Sequence, residues 1–137
     1  MKIDKIDYKK EKRLKKRLES EADRLWHIAV IKKYGEVCFF HNSKKKAKQH
    51  QRITSKCHHY FPKGRYPAMR YVIENGVPIC WPDHYKAEKI DRTMLSDILL
   101  ERGKKWYAKL NKIMEKRQSW GSFKTIDYYQ KIIKELE

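Results

Sequence analysis

The chain has 137 residues, enough for one modest hydrophobic core and too few for two independent ones. Lys and Arg number 34 against 17 Asp and Glu, a formal charge of +17, so the partner to expect is a polyanion, with nucleic acid ahead of an anionic membrane surface. No stretch has the length and apolarity of a membrane-spanning helix and the opening Met1-Lys2-Ile3-Asp4-Lys5 lacks the apolar run of a secretory signal, so a cytoplasmic protein without a membrane partner is expected.

From Tyr8 to Tyr34 the apolar residues Leu14, Leu18, Ala22, Leu25, Trp26, Ala29 and Val30 recur at steps of three and four, and Gly35 is the natural stop. A long helix follows, its first half crowded with Lys9, Lys10, Lys12, Arg13, Lys15, Lys16 and Arg17. The basic stretch from Cys38 to Lys56 reads as a loop, and Ile53 to His59 as a short strand. Pro62, Gly64 and Pro67 mark a turn-rich connection. Tyr71-Val72-Ile73 and Val77-Pro78-Ile79 flank Asn75-Gly76, which predicts a hairpin closed at that dipeptide, and Pro82 suits the first turn of another helix. Two helical segments meeting near Gly103 come next, carrying Met94, Ile98, Leu99 and Leu100, then Trp106, Leu110, Ile113 and Met114. Ser119 to Ser122 interrupts the pattern, and Thr125 to Leu136 resumes it with Tyr128, Tyr129, Ile132, Ile133 and Leu136 on one side. The fold expected is α+β and mostly helical: a basic helical extension over 1–35, a small β-containing core over 36–92 and C-terminal helices over 93–137, all one domain.

The window from Cys57 to Lys86 carries the chemistry. Hydrolysing a phosphodiester needs a base to deprotonate water, a cation to neutralise charge on the scissile phosphate and leaving oxygen, and a group that holds the base in the correct tautomer. His58-His59-Tyr60-Phe61-Pro62, an Asn sixteen residues after His59 and a His nine residues beyond that supply all three. Taken singly, a His-His pair beside aromatics is ordinary packing and an Asn-Gly turn needs no function. Their joint spacing is what singles them out.

That segment, Asn75-Gly76-Val77-Pro78-Ile79-Cys80-Trp81-Pro82-Asp83-His84, resembles the Asn…Leu-Cys-x-x-Cys-His segment of HNH endonucleases of the His-Me finger group. Glu21-Ala22-Asp23-Arg24-Leu25-Trp26, Lys33-Tyr34-Gly35, Arg70 and Leu100-Glu101-Arg102-Gly103-Lys104-Lys105-Trp106 further resemble phage recombination endonucleases of the NinG/Rap type. The resemblance implies a ββα-metal, treble-clef-like core. It implies that His59 is the general base, that Asn75 orients the base or pins the hairpin, and that His58 and His84 hold a catalytic divalent cation, Mg²⁺ or Mn²⁺. It implies cleavage of DNA to 5′-phosphate and 3′-hydroxyl ends, a preference for branched recombination intermediates, and a bacterial host cell if the chain is phage-encoded.

A structural Zn²⁺ is a second expectation. Cys38-Phe-Phe-His41 and Cys80-Trp-Pro-Asp83 each offer two ligands, and a tetrahedral site would tie the loop to the hairpin. The resembling family carries two Cys-x-x-Cys pairs there, and this chain has His41 and Asp83 in place of the second cysteines. Cys57 or His50 standing in for a ligand, or Cys38 and Cys80 acting as plain buried hydrophobes, are the alternatives. The three cysteines are too few and too odd in number for a disulfide framework.

Lys63, Arg65, Arg70, Lys86 and Lys89 stand around the motif as the expected DNA contacts, which position a backbone without reading sequence. The Leu14, Leu18 and Leu25 spacing leaves a helix-mediated homodimer open. Two functions are therefore in competition: a metal-dependent DNA endonuclease, and a non-catalytic zinc-binding treble-clef protein that binds nucleic acid.

Overall fold

The computed structural model describes residues 5–39, 56–80 and 93–137. Helix α1 spans Lys5–Tyr34, strand β1 Lys56–His59, strand β2 Gly76–Ile79, helix α2 Thr93–Gln118 and helix α3 Ile126–Leu136, with single 3₁₀ turns at Pro67–Met69 and Ile73–Asn75. The protein is mostly helical with one two-stranded antiparallel sheet. Among the described residues no helix is long and apolar enough to cross a membrane.

The long first helix forms as its periodicity predicts, and it ends because Gly35 takes φ +93° while its N–H closes a 2.7 Å bond to the Ile31 carbonyl. Its buried stripe, Ala22, Trp26 and Val30 at i, i+4 and i+8, meets Tyr128, Tyr129 and Ile132 of α3. Thr125 caps α3, its hydroxyl accepting from the Tyr128 N–H at 3.1 Å. The last helix is strongly two-faced, and burying its tyrosines and isoleucine contributes about 1.5–3 kcal/mol per large side chain.

The predicted hairpin needs correction. Tyr71 and Val72 are buried between two 3₁₀ turns instead of forming a strand, and Gly76 is extended at φ −85°, ψ 139°, which no tight two-residue hairpin turn allows. β2 instead pairs with β1, in the register Lys56↔Ile79, Cys57↔Pro78, His58↔Val77 and His59↔Gly76. The cause is the Asn75 side chain. It accepts from the Phe61 N–H at 2.8 Å and donates to the Phe61 and Met69 carbonyls at 3.1 Å each, so it ties the loop after β1 to the turn before β2. The Asn75 backbone carbonyl adds a 2.9 Å bond from the Tyr60 N–H.

Strand β2 is buried along its whole length. Gly76 lies so close to α1 that a Cβ there would fall on the Val30 methyls and within 3.0 Å of the Trp26 ring. The opposite side, with Val77 and Ile79, packs with Cys38, Cys80 and Ile98. Met69, Val72 and Leu110 form a third cluster between the first 3₁₀ turn and α2.

Helix α2 is broken where the sequence predicts, at Gly103, whose φ of 89° and ψ of 169° are open essentially to glycine alone. The break lets Arg102 and Trp106 reach back to the sheet. Trp106 Nε1 donates to the Glu74 carbonyl at 2.9 Å and Arg102 Nη1 to the Gly76 carbonyl at 2.8 Å. The Arg102 guanidinium also lies 3.9 Å from the centre of the Tyr34 ring, and its burial lowers its pKa.

Candidate active site

A cleft of about 470 Å³ opens between α1 and β1. It is lined by Asp23 and His27 of the helix, by Lys56, His58 and His59 of the strand, and by Lys63 of the loop beyond. Its position follows from β1: four residues long, the strand ends at His59, where the Asn75-pinned loop turns away and leaves one wall open.

His59 is fixed from two directions. Its Nε2 is 2.9 Å from the Arg70 carbonyl, and because a carbonyl only accepts, Nε2 carries the proton and Nδ1 of the neutral ring is the lone-pair atom. The Trp26 ring stacks on the imidazole at 4.1 Å between centroids with the planes 6° apart. Burial drives the pKa of His59 down to about 3; the Arg70 carbonyl bond opposes this and the Lys63 charge adds to it. At neutral pH the ring is therefore an unprotonated single tautomer.

The acceptor of that bond is held in turn. Arg70 makes a two-pronged contact with Asp23, Nε to Oδ1 at 3.1 Å and Nη2 to Oδ2 at 2.8 Å, and Glu19 lies 3.4 Å from Nη2. Burial is the largest influence and disfavours the guanidinium charge, but the Asp23 bond and the charges of Tyr71, Asp23 and Glu19 together leave the pKa of Arg70 above its ordinary value. Arg70, expected at the DNA, thus has its guanidinium engaged with two carboxylates of α1. Trp26 donates from Nε1 to the Val72 carbonyl at 2.8 Å, so α1 grips both sides of the segment that presents the Arg70 carbonyl.

His58 is 5% exposed and borders the cleft, but it pairs with Val77 and so presents its ring to the sheet face opposite that of His59. Cys38 and Cys80, from the two halves of the expected zinc set, are buried in one cluster. Cys57 is not with them: it packs against the α1 side, and burial pushes its thiol up to about 12, which makes it a poor thiolate ligand. Lys63 and Arg65 are exposed on the loop after β1. Among the described residues no three His, Cys, Asp or Glu side chains come together as a metal-holding group. The expected ligands His41, Asp83 and His84, the alternative His50, the contacts Lys86 and Lys89 and the predicted helix at Pro82 lie outside the described residues.

Asp23, Trp26 and His27 were assigned no part in the site by the sequence. Their i, i+3, i+4 spacing puts Asp23 and His27 on the margin of the buried stripe to which Trp26 belongs, where two polar side chains adjoin an apolar surface. Polar residues on the margin of a buried stripe were the available signal. No family model matches the chain, and neither the curated proteins nor the solved structures contain a match to it.

Proposed function

We propose that this chain is a metal-dependent endonuclease of the HNH kind, hydrolysing DNA phosphodiester bonds with His59 as the general base. The observation that carries this is the state of His59: a neutral ring of one tautomer, held by the Arg70 carbonyl and the Trp26 ring at the mouth of a cleft with Lys56 and Lys63 on its walls. In water such a ring is a weak base, because burial disfavours its imidazolium. A phosphate drawn in by the lysines brings negative charge beside the ring and raises its proton affinity, so Nδ1 takes a proton from water when substrate is bound.

His58 from the strand, together with His84, would hold the divalent cation, Mg²⁺ or Mn²⁺; imidazole suits Mn²⁺ better than Mg²⁺. When bound, the cation neutralises charge on the phosphate and the departing oxygen. Asn75 serves the site from a distance by fixing the loop through Phe61. Lys63 and Arg65 hold the DNA backbone, with Lys86 and Lys89 as further contacts, and branched DNA is the substrate preference that the NinG/Rap likeness suggests.

The burial of Cys38 and Cys80 in one cluster favours a second reading, a treble-clef zinc protein that binds nucleic acid without cutting it. Nicking of supercoiled plasmid, with and without added Mg²⁺ or Mn²⁺, separates the two. Cation-dependent nicking is expected; DNA binding without nicking under any cation would select the binding protein.

A further inference from the structure

The loop after β1 gathers more aromatic surface than the cleavage chemistry uses. Tyr60, Phe61 and Tyr66 are half-buried, and Tyr107 of α2 is 38% exposed. Phe61 lies 6.0 Å from Tyr107 with the rings tilted by 31°, Tyr66 meets Phe61 edge-on at 5.1 Å, and Tyr60 meets Trp106 edge-on at 4.9 Å. Tyr60, Phe61, Tyr66 and Trp106 rest on Met69, Val72 and Leu110, which anchors them, while Tyr107, in contact with Phe61, keeps surface open to solvent.

Cations surround these rings. Lys63 and Arg65 are exposed in the same loop, with the Arg65 guanidinium 5.6 Å from the centre of the Tyr66 ring, and exposed Lys104 precedes Tyr107 by one turn. A core rim alone would need the rings but not the charge; a phosphate-binding patch alone would need the charge but not the rings. Rigid rings beside exposed cations suit a single strand of nucleic acid, whose bases present π faces that a duplex conceals in its stack. The same loop supplies Pro62, Lys63 and Gly64 to the cleft wall, so a strand on these rings lies next to His59.

We infer that Tyr107, with Phe61 and Tyr66 beside it, is a stacking platform for unpaired nucleobases whose phosphates are held by Lys63 and Arg65. The inference rests on the nuclease reading for the nature of its ligand, and it gives that site a substrate class: DNA with unpaired bases next to the scissile bond.

The test is binding of a short single-stranded DNA carrying 2-aminopurine, and of the matching duplex, without added divalent cation. Tyr107→Ala should weaken the single strand by about five- to a hundredfold, abolish the quenching that stacking produces and leave duplex affinity unchanged, and Tyr107→Phe should restore both readouts. Equal weakening of single strand and duplex, or an unchanged single-strand affinity, would overturn it. Because binding is read without cleavage, a protein that nicks plasmid but shows no Tyr107-dependent stacking removes this inference alone. One that stacks bases but never cuts removes the nuclease reading alone.

Discussion

Trp26 and His59 lie face to face, ring centroids 4.1 Å apart and planes 6° from parallel, with thirty-two residues of chain between them. The stack joins the long basic helix to the strand that ends in the proposed base, and the Trp26 Nε1 bond to the Val72 carbonyl locks the indole in place. Trp26→Phe keeps a ring over the imidazole but leaves that buried carbonyl without its donor. Denaturant unfolding should show a loss of about 1–3 kcal/mol.

Acid should destabilise the protein through His59. Its folded pKa of about 3 lies below the ordinary 6.5, so between those values the unfolded chain binds more protons at this position than the folded one. The stability it contributes is complete above pH 6.5 and is lost as pH falls toward 3. Glu19 and Glu74, whose folded pKa values are lowered by partners despite burial, add losses in the same direction at the acid end. Unfolding curves taken across this range should be visibly less steep in pH for His59→Gln than for the native chain.

Asp23 acts on the site through Arg70. Asp23→Asn keeps the shape but removes the charge that holds the guanidinium, freeing the Arg70 carbonyl to shift beneath His59. Turnover should fall by between about threefold and a hundredfold with KM little changed. A purely structural role for Asp23 would leave the pH–rate profile where it is; displacement of the carbonyl would move its acidic limb, which is the readout to follow.

The two glycines that shape the site should respond differently to alanine. Gly76→Ala meets the Val30 methyls and the Trp26 ring, an overpacking cost of about 1–3 kcal/mol that also pushes β2 away from α1. Gly103→Ala meets nothing within 4 Å, so its cost is backbone strain alone, about 1–3 kcal/mol. Thermal unfolding of both variants, with tryptophan fluorescence for the Trp26 environment, should show a spectral change in Gly76→Ala and none in the Trp26 signal of Gly103→Ala.

Periodicity made the helices legible. Leu18, Ala22, Trp26 and Val30 announce α1, and Tyr128, Tyr129 and Ile132 announce α3, because each stripe has one neighbour to bury against. The break at Gly103 was legible too, since glycine amid a helical pattern marks a change of backbone. The pairing of β2 was not. Asn75-Gly76 signals a turn in short-range terms, and only the bonds of the Asn75 side chain to the Phe61 and Met69 backbones, which no local pattern announces, decide against it. The placement of His59 at a strand end could be read locally, whereas its two constraints, Arg70 and Trp26, come from elsewhere in the chain and carry no motif of their own.

In the proposed reaction His59 removes a proton from the attacking water. The most direct measurement of this step is the rate of supercoiled plasmid nicking by His59→Ala beside the native chain, at saturating Mn²⁺, with folding checked by circular dichroism and DNA affinity by anisotropy. A fall of about a hundredfold to ten-thousandfold at unchanged affinity is predicted. Nicking at the native rate by a folded His59→Ala protein would contradict it.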